Sequence, residues 1–219
     1  MARILVGREQ KVFSMNLYAL VSRSRYFRGV FLGTQKNTLY TGLRMPNEDP
    51  EVFALYEQLI YNGSIPFAVR TTRGPEEENS LLKCARCERK TCDKEYQLLC
   101  GLYVLAEKFL DLDARNKAIA ALHAKMKNSH NRDVGPRSSF CYPSPKAINI
   151  MYNGTIEPSY GRRLLTIGIV YHSSSDAMLP NANLVPATFF RDIARVAMLM
   201  KKDNIHERCF ALESFIAQS

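Results

Sequence analysis

The sequence has no apolar run long enough to cross a bilayer, which takes about 20 residues. Its opening stretch, MARILVGREQ, turns polar too soon for a signal peptide. These absences exclude a membrane-spanning protein and favour an intracellular one, without separating nucleus from cytoplasm. Because disulfides persist mainly in oxidising compartments, we interpret the six cysteines as metal ligands or plain thiols.

Catalytic patterns are also missing. The sequence contains no G-x-S-x-G, P-loop, G-x-G-x-x-G or H-E-x-x-H motif. It has only 4 histidines, and none lies beside a nucleophile in sequence. We therefore expect a protein that is not an enzyme.

What the chain does have is enough apolar material for a core and a surplus of positive charge. It has 219 residues, of which 46% are hydrophobic, and this fraction argues against disorder. The formal net charge is +9, spread along the chain rather than gathered in a tail. A spread excess is typical of a solvated surface, and it also suits contact with nucleic acid.

Strand periodicity near the start gives way to helical periodicity further on. Capping residues mark several helix starts, and glycines mark two ends. The predicted elements are two strands within 2–15, a helix through Leu17–Val21, a helix after Ser24, a strand at 38–45, a helix from Asp49–Pro50 to Asn62–Gly63, helices opened by Asp93 and Asp113, a helix from Ser144–Pro145 to Gly154, two amphipathic segments at 162–172 and 186–200, and a short helix at 209–216.

The stretch FSMNLYALVSRSRYFRGVF, residues 13–31, resembles the BTB/POZ family pattern F-x-V-H-K-x-L-L-x-x-x-S-x-Y-F-x-x-x-F. The residues that match in register are Phe13, Leu20, Ser24, Tyr26, Phe27 and Phe31, with Met15 in place of the valine. Two later stretches, MPNEDPEVFALYEQLIYNGSI and LYVLAEKFLDLDARNKAIAAL, are similar to further family segments in the same order. The resemblance covers about residues 2–127.

The resemblance implies an α+β, mostly helical BTB/POZ fold, in which a small sheet is capped by a helical cluster. The tail PSPKAINIMYNGTIEPSYGRRLLTIGIVYH looks like the region that follows this domain in many fungal BTB-domain proteins. We therefore divide the chain into a BTB/POZ domain at 1–127 with a loop insertion at 64–92, a linker at 128–143 and a helical extension at 144–219.

BTB domains bind proteins, and many recruit a cullin-type ubiquitin ligase. The resemblance therefore implies a protein-interaction module that serves as a substrate adaptor of such a ligase. By resemblance, the expected partner-binding residues are Tyr56, Tyr61, Asn62, Tyr103 and Lys108. The alternative is a BTB-type transcriptional or chromatin-associated regulator, which contacts nucleic acid through its basic surface and its cysteine loop.

The family's H-K pair is replaced here by Asn16 and Leu17. In many dimeric members the basic residue of that pair meets an early aspartate in a buried pocket, and Met1 stands at the matching early position. Both charges are lost together, which avoids an unpaired buried charge. We expect a monomer or a weak homodimer of a different kind.

The segment KCARCERKTC, residues 83–92, holds three cysteines spaced C-x2-C-x4-C. Cys84, Cys87 and Cys92 offer three thiolates, whereas structural zinc takes four ligands. Cys100 is the nearest fourth candidate, and a small core residue is the usual role of a cysteine inside a helix. The segment is therefore interpreted as a flexible basic loop with accessible thiols, or alternatively as a zinc site that rigidifies the insertion.

Overall fold

The computed structural model of the protein describes residues 1–33, 42–66, 89–128, 143–172 and 183–203, together with Phe215. The strands are β1 (Ala2–Val6), β2 (Lys11–Met15) and β3 (Leu43–Met45). The helices are α1 (Leu17–Arg23), α2 (Arg25–Leu32), α3 (Pro50–Asn62), α4 (Arg89–Lys108), α5 (Leu112–Asn128), α6 (Pro145–Gly154), α7 (Tyr160–His172) and α8 (Ala187–Asp203). The described chain is therefore α+β and mostly helical, with one small sheet. None of its helices combines the length and apolar character that crossing a bilayer requires.

The 3-stranded sheet has the order β2-β1-β3. β1 pairs with β2 in antiparallel register, with Ile4 opposite Phe13, and with β3 in parallel register, with Ile4 opposite Leu43. The alternation of β1 sends Ala2, Ile4 and Val6 into the core. Of the predicted strand at 38–45, only Leu43–Met45 is strand within the described residues; residues 38–41 lie outside them.

Short polar side chains start the first two helices; Ser24 was predicted as a cap, whereas Asn16 was not. The Asn16 carboxamide oxygen accepts from the Tyr18 and Ala19 backbone N–H groups, and it caps α1. Ser24 caps α2 by accepting from the Phe27 N–H at 3.1 Å. Each cap satisfies backbone donors that a helix start leaves unpaired, and caps of this kind stabilise a helix by about 1 kcal/mol.

The α3 helix begins and ends at its predicted signals. Asp49 accepts from the Glu51 N–H at 2.7 Å, and Pro50 occupies the first turn, where its missing N–H costs nothing. Gly63 ends the helix with a φ of 71°, a left-handed conformation that favours glycine.

Two predicted helix starts and one loop boundary were wrong. α4 begins at Arg89 rather than at Asp93, so the end of the expected 64–92 loop is helical, and Cys92 lies on the helix. α5 begins at Leu112, and its first turn is capped by Asp111, whose Oδ1 accepts from the Ala114 N–H at 3.0 Å. Residues 67–88, which hold the rest of the expected loop, lie outside the described residues.

The helices of the expected C-terminal extension share one core with the rest. α6 begins after its cap Ser144 and ends at Gly154, as predicted. Buried residues from β1 through α8, and Phe215, form one hydrophobic cluster. Most of the expected 128–143 linker and, apart from Phe215, the expected helix at 209–216 lie outside the described residues.

Two helices, α3 and α6, approach α4 closely at positions occupied by glycine. A Cβ added at Gly101 on α4 would lie 2.7 Å from Cγ2 of Val52 on α3. A Cβ added at Gly154 on α6 would lie 2.3 Å from Cγ1 of Val104 on α4. α4 therefore packs against α3 at one glycine and against α6 at another, which makes it the central helix of the described fold.

Candidate protein-interaction surface

Tyr56, expected to contact a partner, lies in the core. Its side chain is 0% exposed, and its hydroxyl donates to Asp111 Oδ2 at 3.0 Å. Burial, followed by the charge of Asp111, raises the pKa of Tyr56 far above its usual range. The ring is held among Phe27, Phe53 and Phe109, with 5.2 Å between the Tyr56 and Phe109 centroids.

Tyr103 is also a core residue. It is 0% exposed, and its hydroxyl donates to Glu107 Oε1 at 2.5 Å and lies 3.4 Å from Ser159 Oγ. Burial, with the bond to Glu107, raises the pKa of Tyr103 to about 12. A partner that docks on the folded chain cannot contact either ring. Tyr56 and Tyr103 are therefore core residues and not part of a partner-binding surface.

Tyr61 and Asn62 are exposed at the end of α3. Tyr61 is 52% exposed, and its hydroxyl accepts from the Asn16 backbone N–H at 2.8 Å. This bond fixes the end of α3 against the start of α1. The surface formed by Asn16, Tyr18, Tyr61 and Asn62 is called the tyrosine patch below.

Tyr18 was missed by the sequence reasoning. It lies in the first turn of α1 and is 79% exposed, which is unusual for a residue in the middle of an apolar-rich segment. Helical periodicity could have identified Tyr18 as exposed. Leu20 and Val21 form the buried face of α1, and Tyr18 lies to the side of that face. A large exposed aromatic side chain is a frequent anchor of protein interfaces.

Lys108 is exposed at the end of α4 and forms an ion pair with Glu48, just before α3. On the other side of the helix crossing, Lys94 pairs with Glu51 in the first turn of α3. The hydrogen bond to Glu51 is the main cause that raises the pKa of Lys94. These four residues, Glu48, Glu51, Lys94 and Lys108, are called the ion-pair face below.

The exposed expected residues do not form one contiguous surface. Tyr61 and Asn62 lie at the end of α3, whereas Lys108 pairs beside its start. A helix of that length extends about 20 Å at 1.5 Å per residue. The structure therefore divides the expected site into the tyrosine patch and the ion-pair face.

The positions that the resemblance aligns with the family's H-K pair serve local structure here. Asn16 is exposed and caps α1, while Leu17 packs against the core cluster. Met1 is exposed. Neither Asn16 nor Leu17 carries a charge, and neither needs a buried ionic partner.

Of the three candidate zinc ligands, only Cys92 lies within the described residues. Cys84 and Cys87 lie outside the described residues. Cys92 is buried in α4, and Cys100 is fully buried in the core, as its position within a helix predicted. Burial raises the pKa of the Cys100 thiol, which disfavours the thiolate that binds zinc. In the described part of the chain, no group of three His, Cys, Asp or Glu side chains is placed to hold a metal ion.

No protein-family model, no curated protein and no solved structure matches the chain.

Proposed function

We propose that the chain is a protein-interaction module of the BTB/POZ type, which recruits a cullin-type ubiquitin ligase as a substrate adaptor. The observation that carries the proposal is the meeting of three separated motif segments in one aromatic cluster. Phe13 and Phe27 come from the first segment, Phe53 from the second and Phe109 from the third. The Phe13 and Phe53 centroids lie 4.7 Å apart, and those of Phe27 and Phe109 lie 4.6 Å apart.

The element order also supports the proposal. Two strands, a helix pair, a third strand and then further helices follow one another along the described chain. This is the order that the family resemblance implies. The aromatic cluster explains why the motif positions need large apolar side chains, since each one buries its ring against residues of another segment.

The ion-pair face is the proposed cullin contact. It is formed by the segment between β3 and α3, the first turn of α3, and α4. The resemblance assigns the surface around these elements to the ligase. The Lys94–Glu51 pair is exposed, and an exposed pair contributes little to folding, about 0–1 kcal/mol. In the Lys108–Glu48 pair the lysine is exposed, whereas the Glu48 side chain is only 16% exposed. Lys94 and Glu51 can therefore exchange partners on binding at low cost.

The test is calorimetric titration of the chain with the N-terminal domain of a cullin of the BTB-recruiting type. We expect a dissociation constant of about micromolar or tighter. The double variant Lys94→Ala/Lys108→Ala should weaken binding about tenfold, because it removes both cations of the ion-pair face. No binding at tens of micromolar, roughly the limit for a weak specific complex, would overturn the proposal.

Matched variants locate the contact. Tyr18→Ala removes the most exposed aromatic side chain of the tyrosine patch, and Ile156→Ser removes an exposed apolar side chain between α6 and α7. We expect cullin binding to be unchanged in Ile156→Ser. A loss in Tyr18→Ala that exceeds the loss in the lysine variant would assign the contact to the tyrosine patch.

The second candidate is a transcriptional or chromatin-associated regulator of the same family. The net charge of +9 favours it, because a basic surface attracts phosphate backbones. Its test is binding to duplex DNA at several salt concentrations. Affinity tighter than about micromolar that falls steeply with salt would favour this candidate over the adaptor.

A further inference from the structure

The small sheet buries one face and presents the other to solvent. Ile4, Phe13 and Met45 point into the core. The residues between them point outward, and the register places Leu5 opposite Val12 and Arg44. The outer sheet face is defined here by Arg3, Leu5, Val12, Ser14 and Arg44.

The outer sheet face joins an apolar pair to a pair of cations. Val12 is 49% exposed and Leu5 is half-buried, and they are cross-strand neighbours. Leu5 is packed over Gly42, where an added Cβ would lie 2.8 Å from Leu5 Cδ1. The apolar pair is therefore partly covered at Leu5 and open to solvent at Val12.

Arg3 and Arg44 both flank Leu5 on this face. Arg44 is opposite Leu5, and Arg3 is two residues before Leu5 on the same face of β1. With strands about 4.8 Å apart and a rise of about 3.3 Å per residue, the two guanidinium groups reach a common patch.

These two arginines differ from Arg23 and Arg191, which have acidic partners. Arg23 pairs with Asp111 and Asp113, and Arg191 pairs with Glu157. Within the described part of the chain, no ion pair and no side-chain hydrogen bond involves Arg3 or Arg44. Two neighbouring cations without counter-charge repel each other, and an acidic partner relieves that repulsion.

We infer that the outer sheet face docks a short extended peptide segment of a partner protein, with an acidic and an apolar side chain two residues apart. In an extended peptide, residues i and i+2 face the same side. An apolar side chain then covers Leu5 and Val12, while a carboxylate reaches Arg3 and Arg44. Arginine forks match carboxylates with two parallel hydrogen bonds, which gives the contact its specificity.

The side chains of this face favour a peptide over nucleic acid. Single-stranded nucleic acid is held by aromatic platforms on which bases stack. None of the five residues of the outer sheet face is aromatic. Duplex DNA would use the two arginines for phosphate contacts, but it would leave the apolar pair without a partner.

The test is a fluorescence anisotropy titration of the full chain against a labelled peptide with Glu, Leu and Glu at alternate positions, separated by Ser. We expect a dissociation constant of about 10–100 micromolar, in the range of weak transient contacts. The double variant Arg3→Gln/Arg44→Gln should weaken binding about tenfold. The double variant Arg8→Gln/Arg25→Gln, which removes two exposed charges from the β1–β2 turn and from α2, should change it by less than about twofold.

Two probe changes complete the test. Replacing Glu by Gln in the peptide should abolish measurable binding, and replacing Leu by Ser should weaken it severalfold. If both arginine double variants lost the same affinity for the peptide, binding would depend on the net charge of the protein and not on Arg3 and Arg44. That result would overturn the inference. Tighter binding of a duplex or single-stranded oligonucleotide, lost in the Arg3/Arg44 variant, would also overturn it. Because no cullin takes part, a negative cullin titration leaves this result unaffected.

Discussion

Asp111 joins three segments of the chain through buried polar contacts. Its carboxylate is 1% exposed, accepts from the Tyr56 hydroxyl and caps α5 through the Ala114 N–H. Arg23 Nε lies 3.5 Å from the same carboxylate. A buried carboxylate is tolerated only when its oxygens have partners, so each of these three groups offsets part of its desolvation.

The raised pKa values of Tyr56 and Tyr103 predict a sensitivity to alkaline pH. Tyrosines of the unfolded chain ionise from about pH 10, while these two stay protonated in the folded chain, Tyr103 up to about 12. Above pH 10 the unfolded state therefore binds fewer protons, and the free energy of unfolding falls by about 1.4 kcal/mol per pH unit for each such tyrosine. Denaturant unfolding at a series of alkaline pH values measures this slope.

The variant Tyr56→Phe should reduce that slope by about 1.4 kcal/mol per pH unit. Near neutral pH it should lower the free energy of unfolding by roughly 1–3 kcal/mol, because Asp111 loses a buried donor. Tyr152, whose pKa burial and the bond to Asp192 also raise, offers an independent check through Tyr152→Phe. A slope that is the same in wild type and both variants would contradict this account.

Leu110 predicts a stabilising substitution. It is 60% exposed and has a φ of 53°, in the left-handed region between α4 and α5. A residue with a Cβ is strained there by about 1–2 kcal/mol. Leu110→Gly should raise the free energy of unfolding by roughly 0.5–1 kcal/mol in urea titrations, since glycine's entropy cost offsets part of the gain. Leu110→Ala, which keeps the strain, should give no gain, and an equal gain from both would show that strain is not the cause.

At the scale of elements, the fold depends on how closely helices approach α4. Gly101 lets α3 cross it, and Gly154 lets α6 lie against Val104. Helix propensity alone disfavours glycine inside a helix by about 1 kcal/mol. The contact with Val52 explains why the sequence keeps glycine at position 101, inside α4, despite that cost.

The substitution Gly101→Ala tests the α3–α4 crossing. Its Cβ would lie 2.7 Å from Val52 Cγ2, so we expect a loss of about 1–3 kcal/mol in the free energy of unfolding despite better helix propensity. Gly29 on α2 is the matched control, because a Cβ added there meets nothing within 4 Å beyond its chain neighbours and the backbone of its own helix. Gly29→Ala should stabilise the protein by about 0.5–1 kcal/mol.

A second background sharpens the crossing test. With Val52→Ala present, Gly101→Ala should cost much less than in the wild type, because the obstructing methyl groups are gone. Additive effects of the two substitutions would mean that the cost arises elsewhere.

At the scale of the whole molecule, the N-terminal part and the C-terminal helices are one packed unit within the described residues. α4 contacts α5 and α6 alike, and the Tyr103 hydroxyl lies near Ser159 at the start of α7. The division at residues 127 and 144, drawn from the resemblance, therefore separates stretches of sequence whose buried residues belong to one cluster.

Removing residues 144–219 tests that unity. The remaining fragment would expose Tyr103 and the α4 surface around Val104, so we expect it to bind a hydrophobic dye and to unfold at lower denaturant concentration than the full chain. Chemical denaturation followed by circular dichroism measures the difference. A fragment as stable as the whole chain would show two independent domains.

The sequence by itself determined the features that depend on neighbours a few residues apart. The starts of α1, α2, α3 and α6 follow from Asn16, Ser24, Asp49 and Ser144, whose short side chains bond to backbone donors within three residues. Gly63 ends α3 for an equally local reason, its left-handed φ.

Only the tertiary structure decided which residues form the candidate surface. Tyr56 and Tyr61 have the same chemistry and lie on one helix, yet Asp111 and Phe109 enclose the first while the second reaches Asn16 at the edge. Asp111 caps α5 through a local bond to the Ala114 N–H, but only the fold brings it the buried Tyr56 hydroxyl from a distant segment. Burial is set by contacts between segments far apart in sequence, and a local pattern carries no record of them.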